Sequence, residues 1–492
     1  MYFSRMKLND SSLLRRDALF GGRWQASATG ATFEVTNPAD GTLLATVPSL
    51  SLDETREAIE FAANAMKSWQ VVPAPERSRL LRRWFDLMIE NAEDLAAILT
   101  AEQGKPLGEA RGEILYGASY VEWFAEESKR ACGDIIPSPS ADRRIVILKE
   151  PVGVCAAITP WNFPNAMITR KLAPALAAGC AMLIKPASQT PLSALALAFL
   201  AEQAGIPAGL VSVLTGDART IGGELCRHPL VRKLTFTGST ATGKILLRQC
   251  ADTVKKATME LGGNAPFIVF ADADLDAAVE GCMASKFRNA GQTCVCANRI
   301  FVHTSVMEAF SAKLAAAVEG LVVGNGVDDE VNQGPLIDEA ALAKVEQFVS
   351  DAIGKGAAIV CGGHRHALGG TFFEPTILAN CTTDMLLAED EIFGPVAPLF
   401  AFETEAEVID LANATNVGLA SYFYSKDLGR VWRVAGALEF GMVGVNTGLI
   451  SNAMAPFGGV KESGMGREGS KYGLDEYLTV KYVCMAFEPE PK

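Results

Sequence analysis

Short apolar runs alternate with helical patterns through the middle of this chain, and this alternation restricts its fold more than any other feature. The predicted strands in this region are Val152–Ile158, Ala181–Ile184, Val211–Leu214 and Lys233–Thr237. Helical patterns accompany them, one over Leu192–Gln203 and another over Lys244–Cys250. Because a helical crossover returns the chain to start each new parallel strand, the series predicts an α/β fold with a doubly wound parallel sheet.

A second series of the same kind follows and indicates a further domain. Phe267–Phe270 predicts a strand, and Leu275–Phe287 predicts a helix whose apolar residues fall on one face. Gly291 ends that pattern and leaves Cys294 in a loop just beyond it. A chain of 492 residues is also too long for one small core, so we expect two or three domains.

Charge, apolar runs and cysteine content restrict the partners and the cellular compartment that we expect for this chain. With 57 acidic and 44 basic residues the net charge is −13, so nucleic acid is not an expected partner. No apolar run reaches the roughly 20 residues of a membrane span. The first residues lack the apolar stretch of a secretory signal. The 11 cysteines, an odd number, favour reduced thiols and a cytoplasmic protein.

One segment carries the residue types of a metal site. Cys361 is followed by His364 and His366, but the chain has only four histidines and no second ligand cluster stands near in the sequence. We therefore interpret this segment as a polar, glycine-rich loop and expect no metal.

Cys294 and Glu260 form the residue pair best suited to covalent chemistry. A thiol can attack a carbonyl carbon and hold the product as a thioester, and a carboxylate can take a proton from a thiol or a water. The pair alone fits a cysteine hydrolase or acyl-transferase without a redox step as well as a dehydrogenase. Cys296 could oxidise reversibly with Cys294, or it could simply pack in the interior.

Four further motifs could complete a dinucleotide-dependent site, although each also has a purely structural interpretation. Gly238–Gly243 joins a strand to a helix and could approach a pyrophosphate, or it could be an ordinary tight turn. Asn162, between two prolines, could donate to an oxyanion or cap a turn. Lys185 could hold a ribose or phosphate at a strand end, or be solvated. Glu391–Pro395 could touch a ribose and a nicotinamide, or fill a loop.

Taken together and in this order, the segments resemble the aldehyde dehydrogenase superfamily over nearly the whole chain. The motifs that carry the resemblance are Pro38–Gly41, Pro160–Pro164, Lys185–Ser188, Phe236–Ser239, Glu260–Gly263, Gly291–Cys294, Glu391–Pro395 and Pro456–Gly459. Each is weak or moderate alone, and their common order makes chance agreement very improbable.

The resemblance implies a role for each matching residue. Cys294 would be the nucleophile, Asn162 would hold the oxyanion with the Cys294 backbone N–H, and Glu260 would activate the hydrolytic water. The residues that would line the cofactor site are Thr159, Trp161, Lys185, Ser188, Gly238, Ser239, Leu261, Glu391 and Phe393. The intact catalytic residues disfavour a non-catalytic protein, and the water-activating Glu260 disfavours a CoA-acylating variant.

The residue at position 188 bears on the choice of dinucleotide. A carboxylate there would repel the 2′-phosphate of NADP by about 4 kcal/mol at ~4 Å and an effective dielectric of ~20. Ser188 lacks that charge, and Lys185 would attract the phosphate. We therefore expect NADP to be accepted and preferred, with NAD also possible.

Within the superfamily the chain is most similar to succinate-semialdehyde dehydrogenases. The segments that carry this similarity are Met167–Lys171, Lys185–Pro191, Lys286–Asn289, Gly448–Ser451 and Gly466–Gly473. The similarity implies that Arg170, Arg288 and Ser451 hold a distal carboxylate of the substrate, since guanidinium forks suit that group. Each arginine could instead form a local salt bridge. Asn452–Ala455 departs from the pattern, so glutarate semialdehyde or a sulfonate-bearing aldehyde could also fit, and a general aldehyde dehydrogenase stays open.

The same resemblance implies the domain organisation and the assembly. Residues 8–132 and 152–263 would form the dinucleotide-binding domain, and residues 264–447 the catalytic domain. Residues 133–151 and 478–492 would supply a small β element for oligomerisation, and 448–477 a return segment near the active site. We expect a homodimer or homotetramer.

Overall fold

The computed structural model describes residues 8–488. The strands, in chain order, are β1 (Ala18–Phe20), β2 (Arg23–Gln25), β3 (Thr32–Thr36), β4 (Leu43–Pro48), β5 (Asp134–Ile136), β6 (Arg143–Pro151), β7 (Val154–Ile158), β8 (Met182–Lys185), β9 (Val211–Val213), β10 (Val231–Thr237), β11 (Lys256–Glu260), β12 (Ala265–Val269), β13 (Ala297–His303), β14 (Ala358–Cys361), β15 (Thr376–Ala379), β16 (Val396–Phe402), β17 (Val417–Gly418), β18 (Ala420–Tyr424), β19 (Met442–Val445), β20 (Val460–Lys461), β21 (Gly464–Met465) and β22 (Leu478–Ala486).

Helices cover both faces of the larger sheets. In chain order they are α1 (Leu52–Trp69), α2 (Ala74–Glu90), α3 (Ala92–Gln103), α4 (Leu107–Glu127), α5 (Ala166–Ala178), α6 (Pro191–Gln203), α7 (Ala218–Arg227), α8 (Thr240–Ala251), α9 (Leu275–Lys286), α10 (Met307–Glu319), α11 (Glu339–Gly354), α12 (Leu386–Glu389), α13 (Glu405–Asn413), α14 (Leu428–Ala437) and α15 (Ser470–Asp475). Short 3₁₀ turns lie at Ser11–Leu13, Ser128–Arg130, Arg288–Gly291 and Thr304–Val306. Among residues 8–488, no helix is long and apolar enough to span a membrane.

The first sheet has eight strands in the order β2-β1-β9-β8-β7-β10-β11-β21. Its five central strands are parallel, and β1 and β21 join them antiparallel. The chain builds outward from β7 through β8 to β9 and then returns to place β10 on the other side of β7. Strand order therefore reverses between β7 and β10, which is where such a sheet opens a ligand crevice at the carboxyl ends of its strands.

The predicted doubly wound sheet is confirmed, and its elements differ from the prediction mainly at their ends. Helix α8 begins at Thr240 rather than at Lys244, because the Ser239 side chain accepts a hydrogen bond from the Thr242 backbone N–H and caps the helix there. Apolar periodicity does not register such a cap, since the first turn of α8 is polar.

The second sheet has seven strands in the order β14-β15-β16-β13-β12-β18-β19, all within residues 264–447. Its strands are parallel except β14, which pairs antiparallel with β15 at one edge. β12 and α9 correspond to the strand and helix predicted from Phe267 onward. The loop that carries Cys294 connects α9 to β13, so Cys294 lies in the second layer, the part of the chain that forms this sheet.

A separate three-stranded antiparallel sheet is formed in the order β22-β6-β5. β22 pairs with β6 from Leu478 opposite Pro151 to Ala486 opposite Arg143. It lies within residues 478–492, the segment predicted to contribute to the β element for oligomerisation, of which residues 489–492 lie outside the described residues. Short ribbons β3-β4 and β17-β20 complete the sheets in the described part of the chain.

Helix α5 is buried along its whole length and carries two cationic residues into the interior. Arg170 forms an ion pair with Glu468 at 2.6 Å, and Lys171 pairs with the same carboxylate and donates to the Thr237 hydroxyl at 2.7 Å. Glu468 belongs to the segment that returns to the first sheet as β21 and α15. Buried charges are tolerated only when they are paired in this way, so this segment is required behind α5.

Candidate active site

A cavity of about 380 Å³ opens at the place where the strand order of the first sheet reverses. Its lining residues are Pro160, Trp161, Asn162, Thr237, Gly238, Ser239, Glu260, Leu261, Gly262, Cys294, Ala340, Ala341, Lys344, Glu391 and Phe393. They come from the ends of three strands of the first sheet and from loops and a helix of the second layer. The cavity thus brings together nine of the predicted site residues, which lie far apart in the sequence.

The loop before Cys294, residues 288–293, has a backbone conformation that few sequences can adopt. Asn289 and Ala290 have φ of 54° and 53°, in the left-handed region, and Gly291 follows with φ of 74°. A Cβ atom on Gly291 would collide with the Gly394 carbonyl oxygen, so only glycine fits. Strained backbone of this kind persists where surrounding contacts enforce it.

Hydrogen bonds of Asn289 hold this strained backbone in place. Its backbone N–H donates to the Glu109 carboxylate at 2.7 Å, and its side-chain amide donates to the Asn162 carbonyl at 3.0 Å. Its side-chain oxygen accepts from Gln103 at 3.0 Å, and Gln292 donates back to its backbone carbonyl. The loop before Cys294 is therefore fixed by α3 and α4, which carry Gln103 and Glu109.

Cys294 is half-buried and lies among acidic groups. Burial raises the pKa of its thiol to about 12, and the carboxyl groups of Glu391 and Glu260 contribute to that rise. The thiol is therefore protonated at neutral pH, and a nucleophilic thiolate requires that its proton be removed.

Glu260 ends β11 with a buried carboxyl group, one oxygen of which has no hydrogen-bond partner among residues 8–488. Burial raises its pKa well above the ordinary value, and the charge of Glu468 adds to this, whereas Arg170 opposes it. A carboxyl group with a raised pKa beside a thiol has the protonation behaviour expected of an acid–base residue.

Asn162 directs its amide toward the loop before Cys294. The amide nitrogen donates one hydrogen to the Gln292 carbonyl at 3.0 Å, and the side-chain oxygen has no partner among residues 8–488. An amide nitrogen carries two hydrogens, and Asn162 lines the cavity with Cys294, so its second hydrogen could serve a developing negative oxygen.

Glu391 and Phe393 form the wall that the second layer contributes. Burial raises the pKa of Glu391 to about 7, and its carboxylate accepts from the Gly263 N–H at 3.3 Å. The Phe393 ring meets the Trp161 ring edge to face, with centroids 5.6 Å apart. Lys344 on α11 donates to the Glu391 backbone carbonyl at 2.6 Å and closes the cavity.

Three residues predicted for the cofactor site lie beside this cavity rather than in its lining. Thr159 follows β7, with a buried hydroxyl that has no partner among residues 8–488. Lys185 ends β8 and is 2% exposed, and its ammonium donates to the Pro186 carbonyl at 2.6 Å. Burial lowers the pKa of Lys185 to about 8. Ser188 is exposed at the same edge.

These features fit a dinucleotide that runs along the carboxyl edge of the first sheet. The Ser239 cap begins α8, whose N-terminus favours a negative group, and the space for a side chain at Gly238 is filled by the Phe236 ring. Beyond it lie the Thr159 hydroxyl, which has no partner in the described part of the chain, and the buried Lys185 amine. The cavity volume falls within the range of small-molecule sites.

The residues predicted to hold a substrate carboxylate differ in their surroundings. Arg288 is half-buried, packs against the Phe163 ring at 5.3 Å and forms no ion pair among residues 8–488. Arg170 is 1% exposed and is paired with Glu468. Ser451 is half-buried in the loop after β19. None of the three lines the cavity described above.

The Cys296 thiol contacts the end of α9 and does not line the cavity. Cys296 is 6% exposed, and its thiol donates to the Lys286 carbonyl at 3.0 Å. Burial raises its pKa. Within residues 8–488 no group of three potential metal ligands comes together, and Cys361 lies on the edge strand β14.

The sequence motifs did not predict two contributors to the site, the first turns of α11 and Glu468. Ala340, Ala341 and Lys344 reach the cavity from the first turns of α11, and Glu468 controls the charge around Glu260. The helix cap at Asp338 marks the start of α11 in the sequence, but nothing in the sequence places that helix against the cavity. Glu468 lies in the Gly466–Gly473 segment, where its acidic side chain is a signal of a partner for a buried cation.

Comparison with known proteins agrees with this arrangement. The model of the family described as "Aldehyde dehydrogenase family" matches residues 24–483. The chain belongs to the aldehyde dehydrogenase family. The predictions of an aldehyde dehydrogenase fold and of an aldehyde dehydrogenase enzyme are confirmed.

Aldehyde dehydrogenases that are similar to this chain carry different substrate names. A 3-sulfolactaldehyde dehydrogenase of Pseudomonas putida is 63% identical, covering 98% of this chain and 99% of that protein. An NADP(+) succinate-semialdehyde dehydrogenase of Escherichia coli strain K12 is 59% identical, covering 98% and 100%. The crystal structure of a succinate-semialdehyde dehydrogenase from Burkholderia pseudomallei is 62% identical, with a TM-score of 0.97 over 98% of this chain and 100% of that one.

Proposed function

We propose that this aldehyde dehydrogenase oxidises a semialdehyde that carries an anionic group at its far end, with succinate semialdehyde as the best candidate. The observation that carries the proposal is Arg288. Its guanidinium is half-buried, forms no direct ion pair among residues 8–488, and acts electrostatically on the Cys294 thiol and on the buried Glu109 carboxyl. A cation kept unpaired beside a nucleophile is suited to an anionic substrate group.

The proposed reaction uses residues that line the cavity. The Cys294 thiol loses its proton and attacks the aldehyde carbon, and the resulting oxyanion accepts hydrogen bonds from the Asn162 amide and the Cys294 backbone N–H. The cavity residues would hold a nicotinamide dinucleotide, which would supply the hydride acceptor. As the oxyanion re-forms the carbonyl, the substrate carbon would lose its hydride to that acceptor and remain on Cys294 as a thioester. Glu260 then takes a proton from a water that attacks the thioester and releases the carboxylic acid.

The high pKa values of both groups give this order a physical reason. A neutral Glu260 does not repel a substrate that carries an anionic group, and a protonated Cys294 thiol is protected from adventitious oxidation. Each must give up a proton before it acts. We therefore propose that turnover increases with pH through the neutral range.

We propose Arg288 and Ser451 as the principal contacts of the distal anionic group. Arg170 was expected to share this role, but Glu468 engages its charge. Arg170 would then contribute a positive field behind the substrate rather than a free guanidinium. The sulfolactaldehyde name of one relative and the succinate-semialdehyde name of another support a site that accepts an anion, since both substrates carry one.

For the cofactor we propose NADP, with NAD also accepted. The residues that would hold it are Thr159, Trp161, Lys185, Ser188, Gly238, Ser239, Leu261, Glu391 and Phe393. Ser188 brings no negative charge to the edge where Lys185 lies, and an E. coli relative bears NADP(+) in its name. In this proposal the first sheet forms the cofactor domain and the second the catalytic domain.

We also propose a homodimer or homotetramer in the cytoplasm. The three-stranded sheet exposes apolar side chains, with Ile135, Val480 and Tyr482 exposed by 80%, 69% and 61%, and β5 is an open edge strand. Such a surface is expected to be covered by another subunit. Because the reaction needs a reduced Cys294, a compartment that keeps thiols reduced suits it.

The test is the initial rate of NADPH formation with succinate semialdehyde, glutarate semialdehyde, a sulfonate-bearing aldehyde and butanal. We expect kcat/KM for the anionic substrates to exceed that for butanal by about 100-fold, since charge-assisted contacts contribute ~2–3 kcal/mol. Arg288→Met should abolish that preference and lower the butanal rate much less, since butanal loses only the effect of the Arg288 charge on the Cys294 thiol. Arg83→Met, on the exposed face of α2, is the matched control for loss of a positive charge.

Equal rates for butanal would overturn the anion site and indicate a general aldehyde dehydrogenase. The order among the three anionic aldehydes selects the substrate. If no dinucleotide were reduced while a thioester was hydrolysed, the proposed redox step would be wrong and a cysteine hydrolase would replace it.

A further inference from the structure

An acidic residue stands at the part of the first sheet where the cofactor's adenosine end is expected. β8 and β9 are neighbouring parallel strands, with Ile184 opposite Val213, and the Leu214 N–H donates to the Ile184 carbonyl at 2.8 Å. Lys185 therefore leaves β8 beside the segment that leads from β9 to Asp217. Both residues reach the same carboxyl edge, on the side of β7 away from the Cys294 cavity.

Asp217 also occupies the start of α7. Its side chain accepts from the Thr220 N–H at 2.7 Å, which caps the helix and turns its carboxylate toward the groups that would otherwise attract an anion. The residue itself is exposed. The N-terminus of α7 is thus already supplied with a negative charge by the chain.

The charges around this edge have opposite effects on an added phosphate. Lys185 and the exposed Arg219 are positive, Ser188 is neutral, and Asp217 is negative. Asp217 lies close enough to act on Lys185, because its charge partly offsets the lowering of the pKa of Lys185 that burial causes. The carboxylate therefore neutralises part of the positive charge that would favour a 2′-phosphate.

We propose that Asp217 is a specificity-determining residue that weakens binding of the 2′-phosphate of NADP and so keeps NAD usable. The inference rests on the proposed function, in which Lys185 and Ser188 receive the adenosine ribose. Asp217 makes no contribution to the chemistry at Cys294. Its effect is confined to the difference in affinity between the two dinucleotides.

Asp217→Asn tests this inference, because asparagine caps a helix as well as aspartate does and removes only the charge. The probes are 2′,5′-ADP, which carries the 2′-phosphate, and 5′-AMP, which lacks it. Calorimetry should show 2′,5′-ADP binding about threefold to tenfold tighter in the variant, with 5′-AMP unchanged within about twofold. The gain should shrink at high salt.

Asp217→Ser, which retains a capping oxygen, should change 2′,5′-ADP binding in the same direction. Asp274→Asn is the matched control, since Asp274 caps α9 in the second layer through the Ala277 N–H. It should leave both probes unaffected. In turnover, Asp217→Asn should lower KM for NADP and leave kcat and KM for NAD unchanged.

An unchanged 2′,5′-ADP affinity in Asp217→Asn would overturn the inference. Equal changes for both probes would also overturn it, because they would indicate a structural effect of the cap. This experiment measures nucleotide binding, so its result does not depend on the semialdehyde assay. Failure of the semialdehyde assay would overturn the proposed substrate but not the role of Asp217. If neither probe bound the unaltered protein, both the cofactor site and the inference would be wrong.

Discussion

The reactivity of Cys294 should depend steeply on pH, and alkylation measures this without any assumption about the substrate. Burial, with Glu391 and Glu260 nearby, raises the pKa of the thiol to about 12. At pH 8 the thiolate fraction is then roughly one in ten thousand, compared with roughly one in four for a thiol of pKa ~8.5. Because only the thiolate reacts, alkylation should accelerate about tenfold for each pH unit from 7 to 9.

Removing the charge of Glu391 is an independent way to change the pKa of the Cys294 thiol. Its pKa is raised to about 7, so it is largely ionised above that pH, and its negative charge disfavours the thiolate. Glu391→Gln keeps an acceptor for the Gly263 N–H and removes the charge. Alkylation of Cys294 in this variant should be faster than in the unaltered protein above pH 7 and should approach it below pH 6.

The assay is iodoacetamide labelling of the dinucleotide-free protein between pH 6.5 and 9.5, followed by mass spectrometry of the Cys294 peptide. The exposed Cys132 reports reagent decay in each sample. A plateau of the Cys294 rate below pH 8 would refute the reasoning, because it would mean that the thiol is already ionised. Identical profiles for the Glu391→Gln variant would refute the assigned electrostatic cause.

Three further perturbations test the site. Glu260→Gln should give a burst of about one NADPH per subunit followed by slow turnover, since the thioester forms but is not hydrolysed, and unchanged steady-state turnover in stopped-flow records would exclude Glu260 as the base. Gly291→Ala should reduce kcat by about 100-fold or more, because a Cβ there collides with the Gly394 carbonyl and displaces Cys294; kcat within about twofold would show that the loop can relax. Glu468→Gln should destabilise the fold by about 3–5 kcal/mol in urea unfolding, since Arg170 would be left buried and unpaired, and a loss below about 1 kcal/mol would mean that water replaces the carboxylate.

The sequence predicts the layers of this fold because apolar periodicity records burial. β7, β8 and α6 are each buried and bounded by proline or glycine, so their apolar runs stand out. The nine lining residues of the cavity that were predicted from the sequence are predictable for a related reason. Backbone close to a ligand requires particular residue types, and Gly238, Asn162 and the loop around Cys294 carry them in recognisable motifs.

Other features depend on contacts between distant residues, which periodicity does not record. Arg170 looked like a free substrate ligand because its partner Glu468 lies almost 300 residues further along the chain. The left-handed Asn289 and Ala290 were equally invisible, since neither is a residue type that marks such a turn with certainty. Lys344 reaches the cavity only because the two layers close on one another. These contacts become apparent only in the folded chain.

The late return of the chain to the first sheet has a consequence for biosynthesis. β21 forms an edge of a sheet whose first strands are made more than 400 residues earlier, and β22 pairs with β6, which is made more than 300 residues earlier. As the ribosome extends the polypeptide, the first layer emerges with Arg170 and Lys171 lacking the carboxylate they need. The nascent domain therefore cannot reach its final stability before nearly the whole chain has left the exit tunnel, and contacts of such long sequence separation also form slowly. Truncation near the C-terminus should consequently impair folding of the N-terminal layer, and a nascent chain that pauses before residue 464 is a natural client for chaperones.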